Sequence, residues 1–197
     1  MRLFKLAFFS FLISSLSSGA EKSLAATVPE KYDLSKQETS VEFLAVGKPS
    51  LIKIKGDGAK LSGTIEIVEN QIKGEFRVPL KDLTTGIELR DKHMKEKYLQ
   101  IDKFPEAIFT ISKIDLPNDF LAQKKIFSAV PFSGKINIKG VDKEIQGIAD
   151  IDTTTSIVDV KTEFKAQISS FQIDIPSYVG IKIADEVTIK TTMKLKK

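Results

Sequence analysis

The stretch GTIEIVENQIKGEFRVPL, Gly63 to Leu80, decides the fold class. Gly63, Ile65 and Ile67 share one face of its first half, and Ile72, Gly74, Phe76 and Val78 share one face of its second. Lys73, Glu75 and Arg77 fall on the other side. Successive side chains of a pleated strand project to opposite faces, so a period of two with one apolar side marks a half-buried antiparallel strand. Glu69-Asn70 supplies the turn, and the stretch predicts a β-hairpin.

The same grammar runs outward in both directions. SVEFLAV (Ser40–Val46) places Val41, Phe43 and Ala45 together. PFSGKINIK (Pro131–Lys139) places Phe132, Gly134, Ile136 and Ile138 together, a turn follows at Gly140, and EIQGIAD returns with Ile145, Gly147 and Ala149 inward. Val158, Val160, Thr162, Phe164, Ala166 and Ile168 alternate through the next strand. The last, EVTIKTTMKLK (Glu186–Lys196), sets Val187, Ile189, Thr191, Met193 and Leu195 against an outer row of threonine and lysine. One more strand follows Pro105 in EAIFTISKI. Eight or nine short strands with one polar face fit an antiparallel barrel or sandwich.

There is no repeat and no linker, which predicts a single β domain over residues 27–197. Gly63, Gly74, Gly134 and Gly147 all share the inward parity, which favours a barrel. Glycines there either let strands coil or leave interior space. An eight-stranded barrel is the size at which the interior is filled by side chains or holds one ligand.

Composition removes several function classes. The 197 residues include no cysteine, so disulfides, thiolate metal sites and cysteine nucleophiles are excluded. Arg2 and Lys5 precede the apolar run Leu6–Leu16, and small residues follow, as in a secretory signal peptide over residues 1–26 cleaved after Ala20 or near Ala26. Eleven residues are too few to span a bilayer, so stable membrane insertion is not expected. Loss of Arg2 and Lys5 lowers the formal charge from +4 to +2, which is no nucleic-acid footprint. The expected location is the periplasm, with secretion left open.

LRDKHMKEKYL (Leu89–Leu99) is the one helix-like segment and carries the single histidine. One histidine without cysteine is a poor basis for a transition-metal site, and no G-x-S-x-G elbow exists for His93 to serve. Asp91 is placed to pair with Lys95 or to cap the first turn. Met94 and Tyr98 form an apolar stripe extended by Leu99 and Ile101, and Pro105 is expected to stop the helix. With Phe104 they would lie over a barrel opening, as a cap on the core or as a gate. KGDGAK (Lys55–Lys60) lacks phosphate-loop spacing and reads as a turn, DIDTTTSIVD as a strand connection, and IPSYVGIKIADE (Ile175–Glu186) as an irregular segment.

TTGIELRDKHMKEKYLQIDKFPEAIFTI (Thr84–Ile111) resembles the signature of the YceI-like family, in which an arginine-aspartate-x-histidine helix precedes an aromatic turn, lysine-aromatic-proline and a strand. FSGKINIKGVDKEIQG (Phe132–Gly147) is similar to the family's glycine-bearing hairpin, and the chain from Ile168 to Leu195 to its C-terminal region. Tyr98-Leu99 replaces the common phenylalanine pair. The resemblance implies an all-β, antiparallel, eight-stranded lipocalin-like barrel with one or two short helices near the mouth. It also implies that the barrel interior sequesters an isoprenoid-type lipid, a polyisoprenoid or isoprenoid quinone, with no catalysis, cofactor or metal. On that reading Ile65, Ile67, Phe76, Val78, Phe164, Ile168 and Met193 form the wall and Met94, Tyr98 and Phe104 the lid. Arg90 and His93 hold either the polar head or the helix itself. The alternative is a packed-core barrel acting as a periplasmic stress or interaction protein without a lipid. A homodimer stays open.

Overall fold

The computed structural model describes residues 29–48, 52–178 and 181–196. The signal-peptide reading of residues 1–26 therefore lies outside the described residues. One curled, wholly antiparallel sheet accounts for most of the rest. Its strands are β1 (Glu30–Asp33), β2 (Glu38–Lys48), β3 (Lys53–Gly56), β4 (Ser62–Val68), β5 (Gln71–Pro79), β6 (Glu106–Ile114), β7 (Ile126–Ile138), β8 (Val141–Asp152), β9 (Val158–Gln167), β10 (Ser177–Tyr178) and β11 (Ile181–Leu195). The order across the sheet is β1-β4-β5-β6-β7-β8-β9-β11-β2-β3, and β10 pairs with β11.

The strand count reconciles with the expected eight. Alternating direction around the sheet makes β3 and β4 run the same way, so they are two parts of one strand interrupted over residues 57–61. Its first part pairs with β2 and its second with β5, which brings the two ends of the sheet together. At the interruption the Val41 amide donates to the Ala59 carbonyl at 3.1 Å, and the Leu61 amide donates to the buried Thr39 hydroxyl at 2.9 Å. The extra strands are the short β1 and β10. β1 lies ahead of the first expected strand, and Tyr32 in it and Leu34 just after it are buried. The last strand also begins earlier than expected, at Ile181, because a bulge between Ile183 and Val187 interrupts its alternation.

The inward glycines do not leave empty space. A Cβ on Gly134 would stand 2.4 Å from the Phe109 ring, one on Gly147 2.6 Å from Phe132, and one on Gly74 3.0 Å from Phe76. Each of these glycines lets a ring pack close against the backbone. Phe76 and Phe164 each stack on Phe109, at centroid separations of 5.6 and 6.0 Å, and Phe132 meets Phe109 edge-on at 6.0 Å. Offset-stacked and edge-to-face aromatic pairs are both favourable geometries. Gly63 has a different reason: its φ of +114° and the Glu75 carbonyl, 2.0 Å from any Cβ, admit no side chain.

The two ends of the barrel differ. At one end Phe120, on a turn over Phe120–Gln123, is 1% exposed and packs edge-on against Phe127. Leu34, Leu116, Ile151 and Leu195 join the same buried cluster. At the other end lies α1 (Glu88–Lys92), continued as a π-helical turn over His93–Leu99. Gln100 ends this helix in a left-handed conformation (φ 53°), so it stops before Pro105 has any part in it.

Candidate functional site

A cavity of ≈ 650 Å³ runs the length of the barrel and is lined almost wholly by apolar side chains. On β9 its wall extends from Val158 to the Ile168 that follows the strand, and on β11 from Ile183 to Leu195. At a rise of about 3.3 Å per residue that is roughly 30 Å along a strand. The volume lies within the ~300–1,000 Å³ usual for small-molecule sites. Thr162 and Thr191, direct partners across β9 and β11, put a hydroxyl pair 2.8 Å apart on this wall.

Most of the residues expected at the site come together here. Ile65, Ile67, Phe76, Val78, Phe164, Ile168 and Met193 all line the cavity. Met94, Tyr98, Arg90 and His93 line it from the helix. Phe104 does not: it lies beyond the end of the helix, its ring against Gly140 in the β7–β8 turn. The left-handed Gln100 turns the chain away from the opening, with the Phe104 amide bonded back to the Gln100 carbonyl.

The π-helical turn explains how so short a segment presents so many groups inward. Its lining residues fall in pairs, Leu89-Arg90, His93-Met94 and Tyr98-Leu99, spaced by four and then five residues. An α-helix with 3.6 residues per turn would rotate the third pair off the face, whereas i→i+5 bonding keeps it there. Met94 and Leu99 pack with Phe43, Leu80, Leu83 and Ala107, a small cluster beneath the helix.

Polar groups at the opening bind the protein itself. The Arg90 guanidinium donates from Nε to the Thr85 hydroxyl and from Nη2 to the Thr85 carbonyl, each at 2.8 Å. Asp91 accepts from the Thr85 amide at 2.7 Å and from the hydroxyls of Thr84 and Thr85. The expected Asp91–Lys95 pair does not form, because the threonine loop brings an amide and two hydroxyls to the carboxylate first. Desolvation works against ionisation, yet the Thr84 and Thr85 bonds, with a contribution from Lys95, hold the Asp91 carboxyl below its ordinary range. His93 is exposed, and its imidazole has no hydrogen bond among the described residues. Among the described residues no three His, Asp or Glu side chains group as metal ligands.

Sequence reasoning overlooked the rim. Ile52, Ile87 and Leu89 line the cavity while remaining 37%, 53% and 57% exposed, so they stand at its opening. Their signal was present in GIELR, where two large apolar residues flank Glu88 ahead of the lid stripe. Phe109 was legible as well, since Ala107, Phe109 and Ile111 alternate in EAIFTISKI. Phe120 was not: it falls with Leu121 in a loop that shows no strand alternation.

A family model described as YceI-like domain matches residues 32–195. No curated protein matches the chain. Among solved structures, BcnA of Burkholderia cenocepacia is similar with a TM-score of 0.64 and 17% identity, over 83% of this chain and 98% of that one. A polyisoprenoid binding domain from Saccharophagus degradans, implicated in plant cell wall breakdown, is similar with a TM-score of 0.59 and 13% identity, over 86% and 98%. The Campylobacter jejuni YceI protein gives 0.60 and 17%, over 75% and 87%.

Proposed function

This chain belongs to the YceI-like domain family, and on that premise we propose that it is an exported protein that sequesters an isoprenoid-type lipid in its barrel. The observation that carries the proposal is the ≈ 650 Å³ apolar cavity, whose lining residues Ile52, Ile87 and Leu89 are exposed at the helix end while Phe120 is buried at the other. An apolar chain entering it leaves water at a gain of roughly 25 cal/mol per Å² of buried surface, with no bond made or broken. The wall of Ile65, Ile67, Phe76, Val78, Phe164, Ile168 and Met193 receives the chain, and Met94 and Tyr98 cover its outer end. The name of the Saccharophagus degradans relative, a polyisoprenoid binding domain, supports the lipid class. Export through the N-terminal segment to the periplasm completes the proposal. The proposal covers a polyisoprenoid and an isoprenoid quinone alike.

The packed-core alternative needs the inward side chains to fill the barrel, and the ≈ 650 Å³ cavity speaks against it. Arg90 is occupied with Thr85, which favours holding the helix over gripping a head group. The deciding experiment is mass spectrometry of protein extracted natively from the cell envelope. A near-stoichiometric isoprenoid-type lipid is the expected result. A well-folded preparation carrying none would end the proposal.

A further inference from the structure

We propose that the rim of the barrel mouth docks on an anionic phospholipid bilayer, with Ile52, Ile87 and Leu89 entering the headgroup layer and lysines beside them meeting lipid phosphates. Three large apolar side chains that line the apolar cavity are exposed at its helix end. Among the described residues the other exposed large apolar side chains, Ile126 and Ile148, do not line the cavity. An exposed apolar group continuous with an apolar interior marks an interaction site more strongly than a scattered one.

Charge selects the occupant. Lys48 and Lys182 face each other directly across β2 and β11, and Lys53 stands beside Ile52 at the start of β3. Like charges directly opposite on a sheet repel, so this arrangement is improved by an external anion. None of the three has an ion pair within 4.0 Å among the described residues, whereas Lys55 on β3 is paired with Glu42. Lys92 adds an exposed cation next to His93. The acids nearby are Glu88, between the two rim residues of the helix, Asp91 and Glu96 further along it, and Asp185, which is held by Ser169 and also attracted by Lys48. Arg90 and Asp91 at the mouth cancel, as do Lys95 and Glu96 on the same helix, so the four lysines against Glu88 and Asp185 leave the rim positive by two. A negative surface recruits such clusters, and amphipathic edges of this kind rest at the headgroup boundary without crossing it. The described residues contain no helix long and apolar enough to cross a membrane. The inference rests on the proposed lipid cargo only for its purpose: a mouth in the headgroup layer lets an apolar chain pass between bilayer and barrel without entering water.

Flotation of the purified chain with phosphatidylcholine vesicles, with and without phosphatidylglycerol, tests the docking. The expected result is co-flotation with the phosphatidylglycerol vesicles that weakens with added salt. Lys48→Glu with Lys182→Glu should lower that partition by roughly tenfold or more. Ile87→Asp with Leu89→Asp should abolish it, and Ile148→Asp, outside the cavity lining, should leave it intact. Wild-type chain that never floats, or rim variants that float equally well, would overturn the proposal. So would a solution dimer that Ile87→Asp with Leu89→Asp dissolves, since the rim would then belong to a second copy. Lipid found in native extract without any flotation sinks the docking and leaves the cargo reading standing. Flotation by a chain that carries no lipid does the reverse.

Discussion

The two ends of this barrel are made by the same strands and finished in opposite ways. At the plugged end Phe120 and Leu34, both outside the long strands, cover the inward rows, and both are almost wholly buried. At the mouth it leaves Ile87 and Leu89 more than half exposed and commits its polar groups to a threonine-aspartate-arginine staple. The plugged end is thus optimised for stability. The mouth holds its shape with hydrogen bonds that can open locally, and elements that move are drawn from such weakly packed regions.

Stability measurements should break the comparison if it is wrong. Phe120→Ala is expected to lower unfolding free energy by about 3–5 kcal/mol, as aromatic truncation in a packed core does. Leu89→Ala should change it by no more than about 0.5 kcal/mol in the same urea titration. Equal losses at the two ends would remove the distinction. Gly134→Ala comes next, at about 1–3 kcal/mol, because the added methyl overlaps the Phe109 ring and the Thr110 carbonyl. It should also drive the ring into the lumen, so that the variant retains less lipid on native extraction.

Asp91→Ala should act locally. Loss of bonds to a charged acceptor is expected to reduce amide protection across residues 84–92 by roughly tenfold, with the barrel strands unchanged in hydrogen exchange. The pH dependence has a definite sign. The folded Asp91 carboxyl sits below its unfolded value of about 3.9, so its contribution is fully present above that pH. It is lost as pH falls through the folded value, and the mouth should loosen in acid before the barrel unfolds. His93→Ala is the smallest expected effect, within about 0.5 kcal/mol, since the exposed imidazole makes no hydrogen bond among the described residues.

Much of the wall was legible before any coordinates. The parity of Ile65, Phe76, Phe164 and Met193 follows from local alternation, and the cavity is lined by those residues. The helix was legible as a segment, but its π-helical winding was not, because that depends on what Met94 and Leu99 pack against. Phe104 was misplaced because one left-handed residue, Gln100, redirects the chain after the helix. The Asp91 partner was misjudged because Thr84 and Thr85 reach it through a turn that no helical spacing rule describes.

By itself the sequence determined which side chains face inward, since strand periodicity is a local property of the backbone. It determined equally that the inward set is apolar. Whether those inward faces would meet or leave a lumen was decided only by the tertiary structure. Cavity volume is the difference between what a closed sheet encloses and what its side chains occupy. Closure here depends on β3 and β4 acting as one strand, joined to β2 through Thr39 and Val41. The side-chain share depends on rings packed against glycines of neighbouring strands or of their own. Most of these contacts join residues far apart in the chain, and no window of sequence contains them.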